Sequence, residues 1–501
     1  RDYLDRAYYD EQKELDIVVD PQLTSTASSI APHFAEYVKQ VGGQLADDLG
    51  FDFYGDGLRI YTTLDSEMQK LAKQAVIRNM DDLQTVVDYQ WSRSNPAANR
   101  STNVEWYKAR TDYEPFSTYW RERTTSVNDM IDETARYQSV RRQGLTKQAA
   151  IAQLRANEAF MDSLKTVKTR LEAGFVAVDP QTGYVKAWVG GRNLTDGWYD
   201  HVEQAKRQPG STFKPFVYTA AIANGYSPMT MYPDSVTTFY DAVGTEWRPR
   251  NSGESTGQLM SIRDGLAESK NTITAHLISE VGPKESAFYA RRMGIQSPLQ
   301  EVLSLGLGTS DVTLLELASA YGTIANRGLY NPPVSITRIE DRFGNVLYEN
   351  TAAPTEALSE ETAAIVYDMM RDVIQRGTGR RINNVYGLRD YDLAGKTGTT
   401  QNSADCWFMM MHPNLVMGAW VGFDDQRVTF ATDWWGQGAH SALFLVGDFM
   451  RQAVKNPDLG LDKDRYPMPE GLDIGIDQTL PPLADPGRSD DTNQGGRRIG
   501  W

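Results

Sequence analysis

The sequence is short of the residues that support disulfide or metal chemistry. Its 501 residues include one cysteine and five histidines. One thiol cannot form an internal disulfide or a cysteine-based zinc cluster, and the histidines form no HExxH motif. We therefore expect no metal site and no cofactor. The thiol of Cys406 precedes Trp407 and Phe408, a pattern typical of a packed strand residue and not of a reactive cysteine.

The sequence also lacks a basic excess and any long apolar run. With 51 basic and 66 acidic residues the formal net charge is −15, which argues against nucleic acid as the main ligand because such proteins carry a basic face. No apolar run approaches the roughly 18 residues that span a bilayer. The chain begins at Arg1 without a signal segment. We expect a processed or internal piece whose membrane contact is limited to an anchor upstream.

What is present is an ordinary globular composition, with 40% hydrophobic and 23% charged residues. At about 100–200 residues per domain, this length predicts about two to four domains. Changes in composition divide the chain into a helical tail and linker (1–56), a strand and helix (57–80), a polar helical insertion (81–173), the main domain (174–455) and a Pro/Asp/Gly-rich tail (456–501). We expect this last segment to be poorly ordered.

Local signals predict the elements around the insertion. Asp65 is expected to cap a helix that begins at Ser66. A second helix is predicted to begin at Thr146 and to stop at Gly174. Its apolar stripe at i, i+4, i+7 and i+11 consists of Phe160, Leu164, Val167 and Leu171. An Asp-Pro-Gln-Thr-Gly turn between apolar runs makes Phe175–Gly191 a predicted hairpin.

Helical patterns dominate between residues 211 and 324, and strand patterns lie on both sides of them. Beyond the hairpin, the strand-like segments are 335–349, 393–400 and 415–423. Helices in the middle and strands at both ends predict an α+β domain whose sheet is assembled from distant parts of the chain.

The segment RQPGSTFKPF (Arg207–Phe216) places Ser211 and Lys214 three residues apart. Residues at i and i+3 share one helix face, so the amine can take the proton that makes a serine hydroxyl a poor nucleophile. Burial or a nearby positive charge lowers a lysine pKa enough for this task. Pro209-Gly210 makes a sharp entry to the helix start, where the dipole favours negative charge. We predict that Ser211 is a nucleophile and Lys214 its base.

Two later motifs give this pair its context, since Ser-x-x-Lys alone is a weak signal. Ser269-Lys270-Asn271 begins 58 residues after Ser211 (269 − 211), and Lys396-Thr397-Gly398-Thr399 begins 127 residues further on (396 − 269). With Ser-x-x-Lys, Ser-x-Asn and Lys-Thr-Gly in this order, the chain resembles the penicillin-binding, active-site-serine D,D-transpeptidases, relatives of the serine β-lactamases. Flanking segments such as GLRIYTTLD and AVDPQTGYVKAWVGG resemble the transpeptidase half of class A bifunctional peptidoglycan synthases.

The resemblance implies a catalytic role for four side chains. Ser211 would attack the penultimate D-alanine carbonyl of a stem pentapeptide, release the terminal D-alanine and form an acyl-enzyme, as it would with a β-lactam. Lys214 would be the general base. Ser269 would relay the proton toward the leaving amine, and Lys396 would lend positive charge beside both. An amine of a neighbouring stem peptide would then accept the acyl group.

The resemblance also implies a set of binding groups. Asn271 would hydrogen-bond the substrate's amide carbonyl and steady the base. The hydroxyls of Thr397 and Thr399 would bind the carboxylate of the donor peptide or of a β-lactam. Gly398 would keep the strand edge clear for an extended peptide. Backbone N–H groups of Ser211 and Thr399 would form the oxyanion hole.

The family relationship further implies a fold and a location. We expect the α+β fold of serine β-lactamases and transpeptidases, an antiparallel sheet flanked by helices, with 81–173 as a helical insertion. Residues 1–56 would be the end of an upstream glycosyltransferase domain and a linker, with that domain and its activity absent from this chain. The expected partners are peptidoglycan stem peptides on lipid-linked precursor strands, in the periplasm or on the outer face of the cytoplasmic membrane.

Three alternatives remain open. A D,D-carboxypeptidase or a β-lactamase carries the same motifs and differs in what accepts the acyl group. A non-catalytic cell-wall or β-lactam-sensing module is disfavoured because every catalytic position is filled. The insertion 81–173 is open to a second role, the docking of other cell-wall synthesis proteins.

The GESTG segment (Gly253–Gly257) matches the G-x-S-x-G nucleophile elbow of α/β-hydrolases. That motif requires a strand before it, and no strand pattern precedes this segment, so we predict a polar loop.

Overall fold

The structure, a computed structural model, describes residues 29–95, 101–192, 199–240 and 244–472. Residues 1–28 of the predicted helical tail and linker lie outside these ranges. Within them, the α-helices are α1 (Pro32–Leu49), α2 (Ser66–Gln90), α3 (Val104–Lys108), α4 (Ser117–Glu122), α5 (Thr124–Asp132), α6 (Ala135–Arg142), α7 (Lys147–Arg155), α8 (Glu158–Lys168), α9 (Lys214–Ala223), α10 (Ile262–Ala267), α11 (Asn271–Val281), α12 (Pro283–Arg292), α13 (Leu314–Ala325), α14 (Glu360–Gln375), α15 (Arg381–Asn384) and α16 (Ala442–Ala453). No helix of the described ranges is long and apolar enough to cross a membrane.

The strands form one large sheet and several small ones. They are β1 (Arg59–Thr62), β2 (Leu171–Val178), β3 (Val185–Val189), β4 (Met231–Pro233), β5 (Phe239–Tyr240), β6 (Glu246–Trp247), β7 (Leu259–Ser261), β8 (Leu329–Tyr330), β9 (Ile336–Glu340), β10 (Val346–Glu349), β11 (Thr355–Glu356), β12 (Ala394–Thr399), β13 (Asp405–His412) and β14 (Leu415–Phe423). The large sheet is antiparallel with the order β12-β13-β14-β2-β3. β1 pairs with β9, which also pairs with β10.

The large sheet is buried on both faces. Because side chains alternate along a strand, Trp407 and Met409 of β13 enter one hydrophobic core, whereas Phe408 and Met410 enter the other. Helices α13 and α14 cover the first face, and α2 and α16 cover the second. Covered on both sides, β13 and β14 have no exposed residue, which explains their nearly continuous apolar sequences.

Most predicted elements are confirmed. The α+β class, the hairpin (β2–β3) and the strand segments at 335–349, 393–400 and 415–423 are all present. Asp65 caps α2, since its carboxylate accepts hydrogen bonds from the backbone N–H groups of Glu67 and Met68 at 2.9 Å. Gly253–Gly257 is a loop. Cys406 is a buried residue of β13, where burial raises the pKa of its thiol to about 12.

The predicted helix from Thr146 to Gly174 is interrupted at Asn157 and ends before residue 171. The Asn157 side chain accepts a hydrogen bond from the Phe160 backbone N–H at 3.0 Å, which starts a new helix, so α7 and α8 replace one element. Strand β2 already begins at Leu171. Gly174 does not stop a helix, because it pairs with Trp420 in the sheet. Tertiary pairing with β14 overrides the apparent helical period here.

The C-terminal segment is packed for longer than predicted. Leu461 and Tyr466, in the part expected to be poorly ordered, are 5% and 2% exposed. The ring of Tyr466 stacks on Tyr367 of α14 with centroids 4.1 Å apart. Residues 456–472 therefore belong to the folded domain, and the rest of the predicted tail lies outside the described residues.

Candidate active site

Ser211 lies on a 3₁₀ turn, Gly210–Phe213, that continues directly into α9. In a 3₁₀ turn, side chains at i and i+3 eclipse one another, so Ser211 and Lys214 project from the same side. Buried contacts anchor the turn. Trp407 Nε1 donates a hydrogen bond to the Gln208 carbonyl at 2.8 Å, and the Tyr321 hydroxyl donates to the Thr212 carbonyl at 2.7 Å.

Two glycines allow β12 to touch this turn. Gly210 has φ +54°, and a Cβ there would lie 2.7 Å from the carbonyl oxygen of Thr399. A Cβ on Gly398 would lie 2.6 Å from the Pro209 carbonyl oxygen and 2.8 Å from Thr212 Cγ2. The sequence predicts that Gly398 leaves room for an extended peptide along the strand edge. In the structure, the missing side chain leaves room for the turn that carries Ser211. The end of β12 therefore lies against the backbone beside Ser211, the neighbourhood that the predicted oxyanion hole requires.

Both predicted lysines converge on Ser269. Lys214 Nζ donates to the Ser269 carbonyl at 2.6 Å and to Asn271 Oδ1 at 2.8 Å, with Ser269 Oγ at 3.4 Å. Lys396 Nζ, from β12, donates to Ser269 Oγ at 2.7 Å and to the Thr397 carbonyl at 3.1 Å. The three motifs therefore meet at one hydroxyl, which bridges two amines.

The electrostatics of this pair are unusual because both lysines are completely buried. Burial, reinforced by the charge of Lys396, lowers the pKa of Lys214 well below its ordinary value. Burial lowers the pKa of Lys396 to about 7. Neither amine forms an ion pair with a carboxylate of the described residues. Strong perturbation of buried groups in a cleft is characteristic of functional sites.

Ser269 is held in a strained backbone conformation. It follows α10 with φ +59°, a left-handed conformation that non-glycine residues seldom adopt. Backbone hydrogen bonds from Ser269 to the Leu266 carbonyl at 3.2 Å and from Lys270 to the Gly265 carbonyl at 2.8 Å enforce it. This turn directs the Ser269 carbonyl at Lys214. Strain of this kind concentrates at functional sites, where the surrounding structure over-determines it.

Ser211 is half-buried, and in the described structure no hydrogen bond joins its hydroxyl to Lys214, Ser269 or Lys396. Catalytic hydrogen bonds are often long in unliganded sites and tighten when substrate binds. The structure thus assembles the proton-handling groups beside the nucleophile without a direct contact to it.

The hydroxyls predicted to bind a carboxylate have partners that the sequence reasoning missed. Thr397 Oγ1 and Thr378 Oγ1 are hydrogen-bonded at 2.7 Å. Thr399 Oγ1 accepts a hydrogen bond from the Gly438 backbone N–H at 3.1 Å. Thr378 lies in a Gly-Thr-Gly run after α14, and that run of small residues was the one signal available. Gly438 carried no signal, since its loop is distant in sequence.

The described residues contain no group of three or more histidine, cysteine, aspartate or glutamate side chains that could hold a metal.

Comparison with known proteins defines the class. Residues 173–431, just over half of the chain, match the model of the penicillin binding protein transpeptidase domain. The chain therefore belongs to this family, and the resemblance drawn from the motifs is confirmed.

Individual relatives agree with this assignment. Penicillin-binding protein 1A of Neisseria meningitidis serogroup A is 31% identical over 481 residues, which cover 88% of this chain and 57% of that protein. Penicillin-binding protein 1A of Pseudomonas aeruginosa is 28% identical, with 83% and 60% covered. The chain thus spans less than two thirds of the length of these relatives.

Solved structures share the fold. PonA1 from Mycobacterium tuberculosis in complex with penicillin V has a TM-score of 0.61 at 21% identity, with 90% of this chain and 100% of that chain covered. Penicillin-Binding Protein 1A from Haemophilus influenzae also has a TM-score of 0.61 at 21% identity, with 85% and 70% covered. The expected transpeptidase fold is confirmed.

Proposed function

We propose that this chain is a D,D-transpeptidase that cross-links peptidoglycan stem peptides through an acyl-enzyme on Ser211, and that β-lactams acylate the same residue. The observation that carries the proposal is the convergence of two buried lysines on Ser269 beside the nucleophile turn. A protein with no catalytic role would have little reason to bury two amines without a carboxylate partner.

Acylation begins at Lys214. In its neutral form, the amine accepts the Ser211 hydroxyl proton while Oγ bonds to the D-alanine carbonyl carbon. The pair of backbone N–H groups from Ser211 and Thr399 stabilises the oxyanion, a contribution typically worth about 3–4 kcal/mol. As the C–N bond breaks, the proton passes through the Ser269 hydroxyl to the departing amine of D-alanine.

Deacylation runs the same path in reverse. The amine of a second stem peptide attacks the ester, its proton returns through Ser269, and Ser211 is regenerated. Lys396 supports the relay because its amine donates to Ser269 Oγ and so leaves that hydroxyl free to donate in turn. Asn271 contributes by accepting a hydrogen bond from Lys214, which fixes the base.

The test is a transpeptidation assay with a stem-pentapeptide donor and an amine acceptor. The wild-type chain should form the cross-linked product and release D-alanine, whereas Ser211→Ala should form none while keeping its circular dichroism spectrum. D-Alanine release without cross-linking would favour a carboxypeptidase. Rapid turnover of a bound penicillin would favour a β-lactamase, and product formation by Ser211→Ala would refute the assignment of the nucleophile.

The location and partners follow from this substrate. Stem peptides are exposed outside the cytoplasmic membrane, so we infer that the domain acts in the periplasm or on that membrane's outer face. We propose that the helices α3–α8 of the predicted segment 81–173 form an insertion of the transpeptidase domain, since residues 81–90 belong to α2 and residues 171–173 to β2. A role of this insertion in docking other cell-wall synthesis proteins can be tested by deleting residues 104–168, which spares α2 and β2, and measuring both activity and binding of those proteins.

A further inference from the structure

A buried carboxylate lies behind the Ser-x-Asn motif. Asp234 follows β4 and is 0% exposed. Its Oδ1 accepts hydrogen bonds from Asn251 Nδ2 and Thr272 Oγ1, both at 2.7 Å. Its Oδ2 accepts from the Thr256 backbone N–H at 2.9 Å and the Thr256 hydroxyl at 3.1 Å, and the Lys270 ammonium lies 3.4 Å away. Both carboxylate oxygens therefore face donors.

This arrangement requires the ionised form of Asp234. Burial alone would raise the pKa of the carboxyl, but hydrogen bonds from Thr256, Thr272 and Asn251 and the charge of Lys270 outweigh it and lower the pKa to about 2. An asparagine at this position would turn its NH₂ group toward an N–H donor in either orientation. The site therefore distinguishes a carboxylate from an amide of the same shape.

Asn251 connects Asp234 to the start of α11. While its Nδ2 donates to Asp234, its Oδ1 accepts the backbone N–H groups of Asn271 at 2.8 Å and of Thr272 at 3.2 Å. Those N–H groups lie in the first turn of the helix, where no intrahelical acceptor is available. Asn251 thus caps α11 from another segment of the chain, and Asp234 holds the cap in orientation.

The neighbouring residue orients the Asn271 side chain. The carbonyl of Arg250 accepts a hydrogen bond from Asn271 Nδ2 at 2.7 Å. This contact directs Asn271 Oδ1 to Lys214, whose Nζ donates to it at 2.8 Å. Arg250 therefore holds the side chain of Asn271, and Asn251 holds its backbone.

We propose that Asp234 is a positioning residue for acylation, which acts through Asn251 to hold Asn271 and thereby Lys214 in place. The inference rests on the proposed function. It assigns a role to Lys270 as well, the middle residue of the motif, whose ammonium pairs with this carboxylate instead of pointing at the nucleophile. Asp234 contacts no reacting atom, so its effect is on the geometry of the base.

The test measures acylation by a fluorescent penicillin with stopped-flow mixing. Asp234→Asn should lower the limiting acylation rate on the order of 10- to 100-fold, the scale of a small misplacement of a catalytic group. The apparent dissociation constant of the penicillin should change by a smaller factor than the rate, because Asn271 is the only predicted binding group that is displaced. Asp448→Asn is the matched control, because that carboxylate is 4% exposed and accepts hydrogen bonds from Asn79 and Arg451, but lies on α16, across the large sheet from α9 and α11. It should lower thermal stability without lowering the acylation rate.

A double-mutant cycle separates positioning from general destabilisation. If Asp234 works through Asn271, adding Asp234→Asn to Asn271→Ala should change the rate less than twofold. Additive effects would overturn the proposal. Should Asp234→Asn fail to fold, Asn251→Ala is placed in the same cycle with the same expected coupling. Failure of the wild-type chain to react would refute the proposed function instead, whereas normal acylation of folded Asp234→Asn would refute only this inference.

Discussion

Replacement of Lys396 by methionine should stabilise the protein, and should do so more at pH 7 than at pH 9. The side chain is completely buried, and burial lowers its pKa from the usual 10.5 to about 7. The unfolded chain therefore binds more protons than the folded one between these two values. Folding therefore requires this lysine to release a proton. The free-energy cost of that release falls as the pH rises toward 10.5, so the stability of the protein rises with pH through this window.

The magnitude follows from the size of the pKa shift. One pKa unit corresponds to about 1.4 kcal/mol, so removing the proton on folding costs about 4 kcal/mol at pH 7 and about 2 kcal/mol at pH 9 for the shift of Lys396. The Lys396→Met variant escapes this cost but loses the hydrogen bonds to Ser269 Oγ and the Thr397 carbonyl. That loss is similar at both pH values and largely cancels in the comparison.

Urea unfolding of wild type and Lys396→Met, followed by tryptophan fluorescence, measures the difference. We expect the free energy of unfolding of the variant relative to wild type to be about 2 kcal/mol more favourable at pH 7 than at pH 9. Lys70→Met is the control, because Lys70 is an exposed lysine on α2. A difference in the free energy of unfolding between variant and wild type that does not change with pH, or that grows toward pH 9, would contradict the lowered pKa of Lys396.

Three further predictions concern the reaction. Lys214→Gln should slow penicillin acylation by about 10²- to 10⁴-fold, the usual contribution of a general base, and an undiminished rate would exclude Lys214 as that base. Gly398→Ala should lower both the thermal stability and the acylation rate of Ser211, since overpacking typically costs about 1–3 kcal/mol. Calorimetry and penicillin labelling measure the two effects. Gly43→Ala is the control and should show neither loss, because a Cβ there has open space. Thr378→Val should weaken the apparent affinity for a penicillin about 3- to 10-fold, the worth of one hydrogen bond, Thr378→Ser should preserve it, and equal binding by all three proteins would contradict a role for this hydroxyl.

The sequence predicted which segments meet at the candidate site better than it predicted the helices around that site. Side-chain chemistry in a fixed order located the three motifs, and the structure brings Lys214 and Lys396 each within hydrogen-bonding distance of Ser269. The 3₁₀ turn directs Ser211 and Lys214 to the same side, as a helix would, although no hydrogen bond joins the two side chains in the described structure. The completeness of the lysines' burial was not readable from the sequence, because it depends on packing between distant segments.

The errors fall where tertiary contacts compete with local periodicity. Leu171 continued a helical stripe, yet its backbone pairs with Phe423 of β14 across the chain. Asp234 and Asn251 carry no recognisable sequence signal, because isolated polar residues in loops are common. Their role becomes visible only when the fold places them against the first turn of α11.

Intact mass spectrometry after treatment with penicillin, followed by peptide mapping of the adduct, is the most direct test of the central claim. We predict one added penicilloyl group per chain, carried by the peptide that contains Ser211 and absent from Ser211→Ala. An adduct on another residue, or no stable adduct on the folded wild-type chain, would contradict the account.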